Sequence, residues 1–262
     1  MPTSPVPVES AAPALEAFLL GQVDFDRVLA LQRRLVHEAQ ARGDGQVTLL
    51  LCEHRPIITL GRGGSPADVG TQNSLVRTGQ IEVRWVNRGG GCLVHCPGQL
   101  AIYPIVPLRW HGLLVGQYLE RLQAAIVETL DELNVPTTTT PQPLSVKPRP
   151  LVAPGIAAAA RGYLATAGVF GRTGQLAALG VAVRHWVTYY GAYLNVSPPN
   201  GLLSLVEPRT SSLVAERCGP VRMTAIRAAL VRRLSEQFGC DRYHLYTGHP
   251  LLRETSRRVG DG

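Results

Sequence analysis

The most informative stretch of the sequence is Asn87-Arg-Gly-Gly-Gly-Cys-Leu-Val-His-Cys-Pro-Gly-Gln-Leu-Ala-Ile-Tyr-Pro-Ile-Val106. Three glycines follow Arg88, and glycine lets a backbone adopt positive φ or approach a ligand or another strand closely. His95 and Gln99 flank a Pro97-Gly98 turn, and the apolar run that follows predicts a buried strand. Two interpretations stay open: a pocket wall with a cation and a titratable ring, or a glycine-rich hairpin around a core histidine.

Composition predicts a globular protein. Of the 262 residues, 45% are apolar and 17% are charged, which is enough to bury a core. No apolar run approaches the length of a membrane span, and the N-terminus lacks the pattern of a signal peptide. Five cysteines at irregular spacing are typical of a reduced protein. We therefore expect a cytoplasmic monomer that does not associate with membranes.

The net charge of +7 is carried almost entirely by arginine, since Lys147 is the only lysine. A basic face could dock an acidic protein or a nucleic acid, or it could be an ordinary solvated surface. Because no arginine cluster is interleaved with aromatic residues, we expect no nucleic-acid partner.

The cysteines do not predict a metal site. Cys92 and Cys96 stand four residues apart, but no second pair at ligand spacing completes a zinc site. We expect neither a metal nor a cofactor.

Hydrophobic periodicity predicts alternating strands and helices. Apolar spacing predicts helices over about 24–42, 113–133 and 224–238, the first with an aspartate N-cap and Gly43 at its end. Continuous or alternating apolar runs predict strands over 47–52, 57–60, 82–86, 100–106, 164–170, 176–183 and 186–196. Their irregular alternation favours an α/β or α+β domain, with mixed sheets flanked by helices.

Domain organisation is predicted as a short arm followed by one domain. Residues 1–16 are rich in proline and alanine without periodicity, which indicates a flexible arm. The rest, 17–262, is expected to form a single domain. Within it, residues 136–155 contain six prolines and predict an irregular loop.

The sequence as a whole resembles the bacterial octanoyltransferases of lipoate biosynthesis, which are relatives of lipoate and biotin protein ligases. The resemblance covers roughly residues 18–240 and rests on ordered sequence blocks. These are Leu31-Gln32 with Leu35-Val36, Glu53-His54-Arg55-Pro56, Thr59-Leu60-Gly61-Arg62, the Arg88–Ile105 signature, Leu176–Val181, Arg184–Thr188, and Gly191 with Leu194-Asn195-Val196. It implies a biotin/lipoate ligase catalytic-domain fold. It also implies octanoyl-acyl carrier protein and lipoyl-domain proteins as partners.

The resemblance further implies a cysteine that forms an acyl thioester and a lysine that activates it, and this chain has neither. Gln175 stands where the family has the lysine, just before the Leu176–Val181 block. The Pro-Cys-Gly turn of the family is also lost in the run 206–213: either it is shortened away, or Arg209 stands in place of the cysteine. A glutamine amide can hydrogen-bond a carbonyl but supplies no charge to lower a thiol pKa.

A substitute nucleophile is conceivable. Cys96 lies beside His95 in the central signature, although neighbouring residues on a strand point to opposite faces. An inert buried thiol is the competing interpretation of Cys96. Lys147 could approach a site from the proline-rich loop, or it could be a plain surface lysine.

By resemblance, three segments line the acyl site, and small residues among them suit an extended acyl chain. The substrate-binding residues implied in this way are Arg88, Gly89, Gly90, Gly91, Cys92, Leu93, Val94, His95, Ala178, Leu179, Gly180, Gly191, Ala192 and Tyr193. Two functional hypotheses follow. The chain is an acyltransferase with an unusual mechanism, or it is a lapsed homologue that binds an acyl or lipoyl group, or its carrier, without turnover.

Overall fold

A computed structural model describes residues 13–70, 73–139, 167–206 and 210–252. Its centre is an eight-stranded mixed sheet with the order β11-β1-β2-β6-β10-β9-β8-β7. The strands are β1 (Ala14–Gln22), β2 (Val47–Glu53), β6 (Gln99–Ile105), β7 (Thr138–Thr139), β8 (Gly168–Phe170), β9 (Gln175–Arg184), β10 (Val187–Asn195) and β11 (Arg242–Thr247). Strand β1 pairs in parallel with β2 and with β11, and the other neighbours in this sheet are antiparallel.

A smaller sheet of three strands has the order β4-β3-β5. It consists of β3 (Ile57–Leu60), β4 (Glu82–Trp85) and β5 (Cys92–His95). Strand β3 is parallel to β4 and antiparallel to β5. The small sheet therefore contains the first half of the central signature, and β6 of the large sheet contains the second half.

The helices are α1 (Phe25–Arg42), α2 (Ser74–Arg77), α3 (Val115–Asp131), α4 (Asn200–Leu203), α5 (Leu213–Arg217) and α6 (Met223–Gln237). Short 3-10 turns occur at Pro66–Asp68 and Pro250–Leu252. Helix α1 packs on one face of the large sheet, while α3 and α6 pack on the other. A third apolar cluster lies under the small sheet. None of the described helices combines the length and the apolar character that crossing a membrane requires.

The long helices confirm the periodicity argument. The N-cap of α1 is Asp24, whose carboxylate accepts hydrogen bonds from the amides of Asp26 and Arg27. Gly43 ends the helix in the left-handed conformation, as glycine C-caps commonly do. These signals are local, so the sequence shows them directly. The predicted mixed sheets with flanking helices are also confirmed.

Two strands lie near the chain ends, where the sequence predicted none. Strand β1 begins at Ala14, so Ala14–Glu16 are not part of a flexible arm; residues 1–12 lie outside the described part of the chain. The segment after the last predicted helix, for which the sequence predicts no element, contains β11. Each strand is stabilised by pairing with the other, across more than 220 residues of sequence. Neither segment alternates clearly between apolar and polar residues, and long-range strand pairing leaves no local signal in the sequence.

The proline-rich loop is described only at its start, where Thr138–Thr139 form the short strand β7 instead of irregular backbone. The rest of this predicted loop, with Lys147, lies outside the described residues, as does the beginning of the predicted strand 164–170.

Candidate functional site

Two glycine-rich segments form the base of the site. The amides of Gly61, Arg62 and Gly63 donate hydrogen bonds to the carbonyls of residues 91, 88 and 90, at 2.9–3.0 Å. A β-carbon on Gly61 would lie 2.5 Å from the carbonyl oxygen of Gly90. The close approach of the two backbones therefore requires glycine at position 61.

Arg88 holds this double turn together from inside. Its side chain is fully buried. Nη1 donates to the carbonyls of Gly89 and Gly91 at 3.0 and 3.1 Å, and Nη2 donates to the carbonyl and the hydroxyl of Thr59 at 3.0 and 2.7 Å. Hydrogen bonds from a charged group are stronger than neutral ones. The guanidinium thus stabilises the loop from inside, where the sequence left open a pocket wall that contains a cation.

The three predicted segments meet at this loop. The amide of Gly89 donates to the carbonyl of Val181 at 2.8 Å, which joins the loop to β9. Gly180 and Gly191 are directly paired between β9 and β10. The ring of Tyr193 lies 5.9 Å from the Arg88 guanidinium carbon and 4.6 Å from the ring of His95. The structure therefore brings 88–91, 178–180 and 191–193 together.

Not every predicted residue of these segments faces the same way, because side chains alternate along a strand. On β5, Cys92 and Val94 point into the cluster beneath the small sheet. On β9 and β10, Leu179 and Ala192 belong to the core between the large sheet and the helices α3 and α6. These four predicted site residues therefore point away from Tyr193, with which Leu93 and Ala178 share a cluster.

Gly191 has a structural reason to be glycine. A β-carbon there would lie 2.1 Å from the carbonyl oxygen of Ile102 on the neighbouring strand β6.

His95 is held in one tautomer by a buried chain of hydrogen bonds. The Nε2 of Gln99 donates to the carbonyl of Val94, so its Oε1 faces His95 and accepts from Nδ1–H at 3.1 Å. Thr59 accepts from Arg88 and so donates its own hydrogen to His95 Nε2 at 2.8 Å.

Burial, the neighbouring His54 ring and the Arg88 guanidinium lower the pKa of His95 well below its usual range. The ring is therefore neutral at physiological pH, with its proton on Nδ1. A neutral imidazole at this place can orient its neighbours without adding positive charge to the site.

Gln175 lies at the start of β9, buried beside Gly168. A β-carbon on residue 168 would lie 2.2 Å from the Gln175 Nε2, so glycine makes room for this side chain. Gly168 pairs with Ala178, so the Gln175 amide lies on the face of the sheet that carries Ala178 and Tyr193. Arg209, the other departure from the family pattern, lies outside the described residues.

The cysteines are poorly suited to nucleophilic attack. Cys96 is fully buried, and burial together with the charge of Glu53 raises the pKa of its thiol to about 12. A thiolate is the reactive form, so these observations oppose a role for Cys96 as nucleophile. Cys52, Cys92 and Cys240 are likewise buried with raised pKa values. Cys218 is exposed, at the end of α5.

Two polar residues that lie in the site were not predicted as site residues. Thr59 links Arg88 to His95, and Asn195 accepts from Gln99 Nε2 at 2.9 Å. A usable signal existed for Thr59, since it is the one polar residue in the apolar run Ile57–Leu60. Among the described residues, no group of three His, Cys, Asp or Glu side chains is placed to hold a metal ion.

Comparison with known proteins identifies the family. The family described as the lipoyl protein ligase A/B catalytic domain matches residues 24–238. An octanoyltransferase of Geotalea uraniireducens is 32% identical over 220 residues, which span 82% of this chain and 88% of that protein. The chain belongs to the lipoate-biosynthesis octanoyltransferase family.

A further relative agrees with this assignment, and two solved structures share the fold. An octanoyltransferase of Xanthomonas axonopodis pv. citri is 31% identical over 240 residues, covering 89% of this chain and 90% of that one. A lipoate-protein ligase A bound with ATP matches with a TM-score of 0.64 at 15% identity, covering 90% of each chain. A bi-partite lipoate protein ligase of Thermoplasma acidophilum matches with a TM-score of 0.61, also at 15% identity, over 91% of this chain and 89% of that one.

These matches confirm the predicted biotin/lipoate ligase catalytic-domain fold. Both sequence relatives are named octanoyltransferase, and nothing in the comparisons supports the alternative of a homologue that binds without turnover.

Proposed function

We propose that this protein transfers an octanoyl group from acyl carrier protein to a lysine side chain of a lipoyl domain. Membership of the octanoyltransferase family supports this reaction. The observation that carries the proposal is the meeting of the Arg88 loop with Gly180 and Tyr193. It occurs between the segments that the resemblance assigns to the acyl site.

The acyl chain is proposed to bind on the face of the large sheet that carries Ala178 and Tyr193. Leu93 packs in the same cluster, and the loop glycines 89–91 adjoin it. Each methylene buried there would contribute about 0.8 kcal/mol. Cys92, Val94, Leu179 and Ala192 would act only by supporting the walls from behind.

Transfer is proposed to proceed directly, without an acyl-enzyme. The lysine amine nitrogen of the lipoyl domain attacks the thioester carbonyl carbon, the C–N bond forms and the C–S bond breaks. The thiolate leaves on the carrier and takes up the proton that the amine loses. We propose that the Gln175 amide donates a hydrogen bond to the carbonyl oxygen, where negative charge develops. Buried thiols of raised pKa support this direct route.

The test is intact-mass spectrometry of a mixture of the protein, octanoyl-acyl carrier protein and a lipoyl domain. We expect the lipoyl domain to gain one octanoyl group while the mass of the protein stays unchanged. A lipoyl domain with its target lysine changed to arginine is the control for the acceptor. Cys218→Ser is the control for the exposed thiol and should transfer at the parent rate.

Three outcomes would contradict parts of this proposal. Octanoyl on a cysteine of the protein would refute the direct route, and a variant of that cysteine would identify the nucleophile. Loss of transfer in Cys218→Ser would assign the reaction to that thiol. Binding of octanoyl-acyl carrier protein with no transfer would refute the activity and favour the lapsed homologue.

We also propose, from cysteine usage, that the protein acts in the cytoplasm, and we propose that it is a monomer. Its acidic carrier partner is proposed to bind exposed arginines.

A further inference from the structure

A buried carboxylate outside the acyl site joins two segments that matter for transfer. Glu216 lies in the last turn of α5, and its side chain is only 1% exposed. Helix α5 follows residues 207–212, where the family has its cysteine turn. The carboxylate reaches across to the turn Gly171–Gly174, which connects β8 to β9.

Both oxygens of this carboxylate are fully used by two residues of that turn. Oε1 accepts from the amide and the Nε of Arg172 at 2.9 and 3.0 Å. Oε2 accepts from the amide and the hydroxyl of Thr173 at 3.0 and 2.6 Å. A β-carbon on Gly171 would lie 2.7 Å from the carboxyl carbon. Glycine at position 171 therefore lets the carboxylate sit against the turn.

The electrostatics match this arrangement. Burial alone would raise the pKa of Glu216, but hydrogen bonds from Thr173 and Arg172 outweigh it and lower the pKa to about 2. The Arg172 side chain is 74% exposed, so its ion pair adds little by itself. The hydrogen bond from the Thr173 hydroxyl makes the largest contribution to the lowered pKa, ahead of those from the Arg172 side chain and the two backbone amides.

The contact continues to Gln175. Because the Thr173 hydroxyl donates to Glu216, the Ser211 hydroxyl donates to Thr173, with 2.7 Å between the oxygens. The amide of Ser211 donates to the carbonyl of Gln175 at 2.9 Å, and Thr210 forms a parallel bridge with Gln175. Glu216 is thus linked through Thr173 and Ser211 to Gln175 and to the segment that begins at Thr210.

We infer that Glu216 is a positioning residue for octanoyl transfer, acting through the Gly171–Gly174 turn on Gln175 and the segment from Thr210. This inference rests on the proposed function. Glu216 does not touch the walls formed by Arg88, Gly180 and Tyr193. Loosening its contacts should therefore change the geometry of the transfer step and leave carrier binding nearly unchanged.

The experiment compares Glu216→Gln with the parent. The new amide keeps only one acceptor oxygen, so the two donors of either Arg172 or Thr173 would face an NH2 group and lose their hydrogen bonds. We expect kcat to fall about 10- to 100-fold, while the KM for octanoyl-acyl carrier protein changes less than about twofold. Thr173→Val, which removes the hydroxyl from the same contact, should act in the same direction. Glu38→Gln removes a carboxylate from an exposed helical ion pair with Arg34 and is the matched control.

Two further readouts separate positioning from other roles. Hydrogen exchange of the Ser211 amide should become at least about tenfold faster in Glu216→Gln, because its bond to Gln175 is no longer held. The kcat–pH profile of Glu216→Gln should have the same shape as that of the parent between about pH 6 and about pH 9. Glu216 of the parent is ionised throughout this window and is not a general base, so its loss removes no titration.

An unchanged kcat in both variants, a loss confined to KM, or unchanged Ser211 exchange would each overturn the inference. The exchange measurement needs no activity. A parent that transfers no octanoyl would refute the proposed function, and the effect of Glu216 on the Gln175 contact would then be judged from Ser211 alone.

Discussion

Replacing Gly180 with alanine tests the contact between the Arg88 loop and strand β9. A β-carbon at Gly180 would lie 2.8 Å from the carbonyl oxygen of Gly89, 3.1 Å from the Arg88 Cδ and 3.2 Å from its Nη1. Arg88 is fixed by four hydrogen bonds, so the side chain cannot move aside freely. The loop as a whole must shift away from β9.

The size of the effect follows from these contacts. Overpacking of this kind costs about 1–3 kcal/mol. The shift also stretches the 2.8 Å hydrogen bond from the Gly89 amide to Val181, which is worth about 1 kcal/mol. Alanine has a lower backbone entropy than glycine in the unfolded chain, which offsets the loss of stability by about 0.5–1 kcal/mol. We therefore expect Gly180→Ala to lower the free energy of unfolding by about 2 kcal/mol and to reduce octanoyl transfer.

Urea denaturation measures the stability change, as a shift of the midpoint at constant slope. The matched control is Gly116→Ala, because a β-carbon at Gly116 in α3 would meet nothing within 4 Å. That variant should be neutral or slightly stabilised. If Gly180→Ala unfolds within about 0.5 kcal/mol of the parent, the variation ordinary for an uninvolved surface position, the loop does not pack on β9 as described.

Three other predictions concern pH, the missing family cysteine and lysine, and salt. Because burial, His54 and Arg88 lower the pKa of His95 below its unfolded value, its neutral ring stabilises the fold above about pH 6.5, and stability should fall below that pH. Urea midpoints from about pH 8 to about pH 5 should therefore fall less steeply in His95→Gln than in the parent, and equal slopes would contradict this. Gln175→Lys or Arg209→Cys alone should produce little acyl-enzyme, whereas the double variant should form it, as seen by intact mass; equal yields from single and double variants would show that the two positions do not act together. Affinity for octanoyl-acyl carrier protein should weaken with added salt if surface arginines dock it, and titrations at low and high salt with equal affinity would exclude this docking.

The candidate site was predictable in part. The glycines at 89–91 predict a close backbone approach, and the family blocks contain the segments that the fold brings together. Which side chains share a face was not predictable from the blocks alone. Cys92 and Leu179 lie next to site residues in sequence, but strand alternation turns them toward other cores.

Local interactions explain what the sequence determined by itself. The cap at Asp24, the C-terminal Gly43 and the apolar stripes of α1 and α3 are decided within a few residues, so helix ends and most strands are visible in the chain. The tertiary structure alone decided the features that depend on distant partners. Strand β11 pairs with β1, and β1 pairs in turn with β2, although β11 lies more than 220 residues away in the sequence. Arg88 turns inward because the carbonyls of Thr59, Gly89 and Gly91 converge on it. A buried charge must find hydrogen-bond partners wherever the fold brings them, and the partner that completes this set, Thr59, is distant from Arg88 in the sequence.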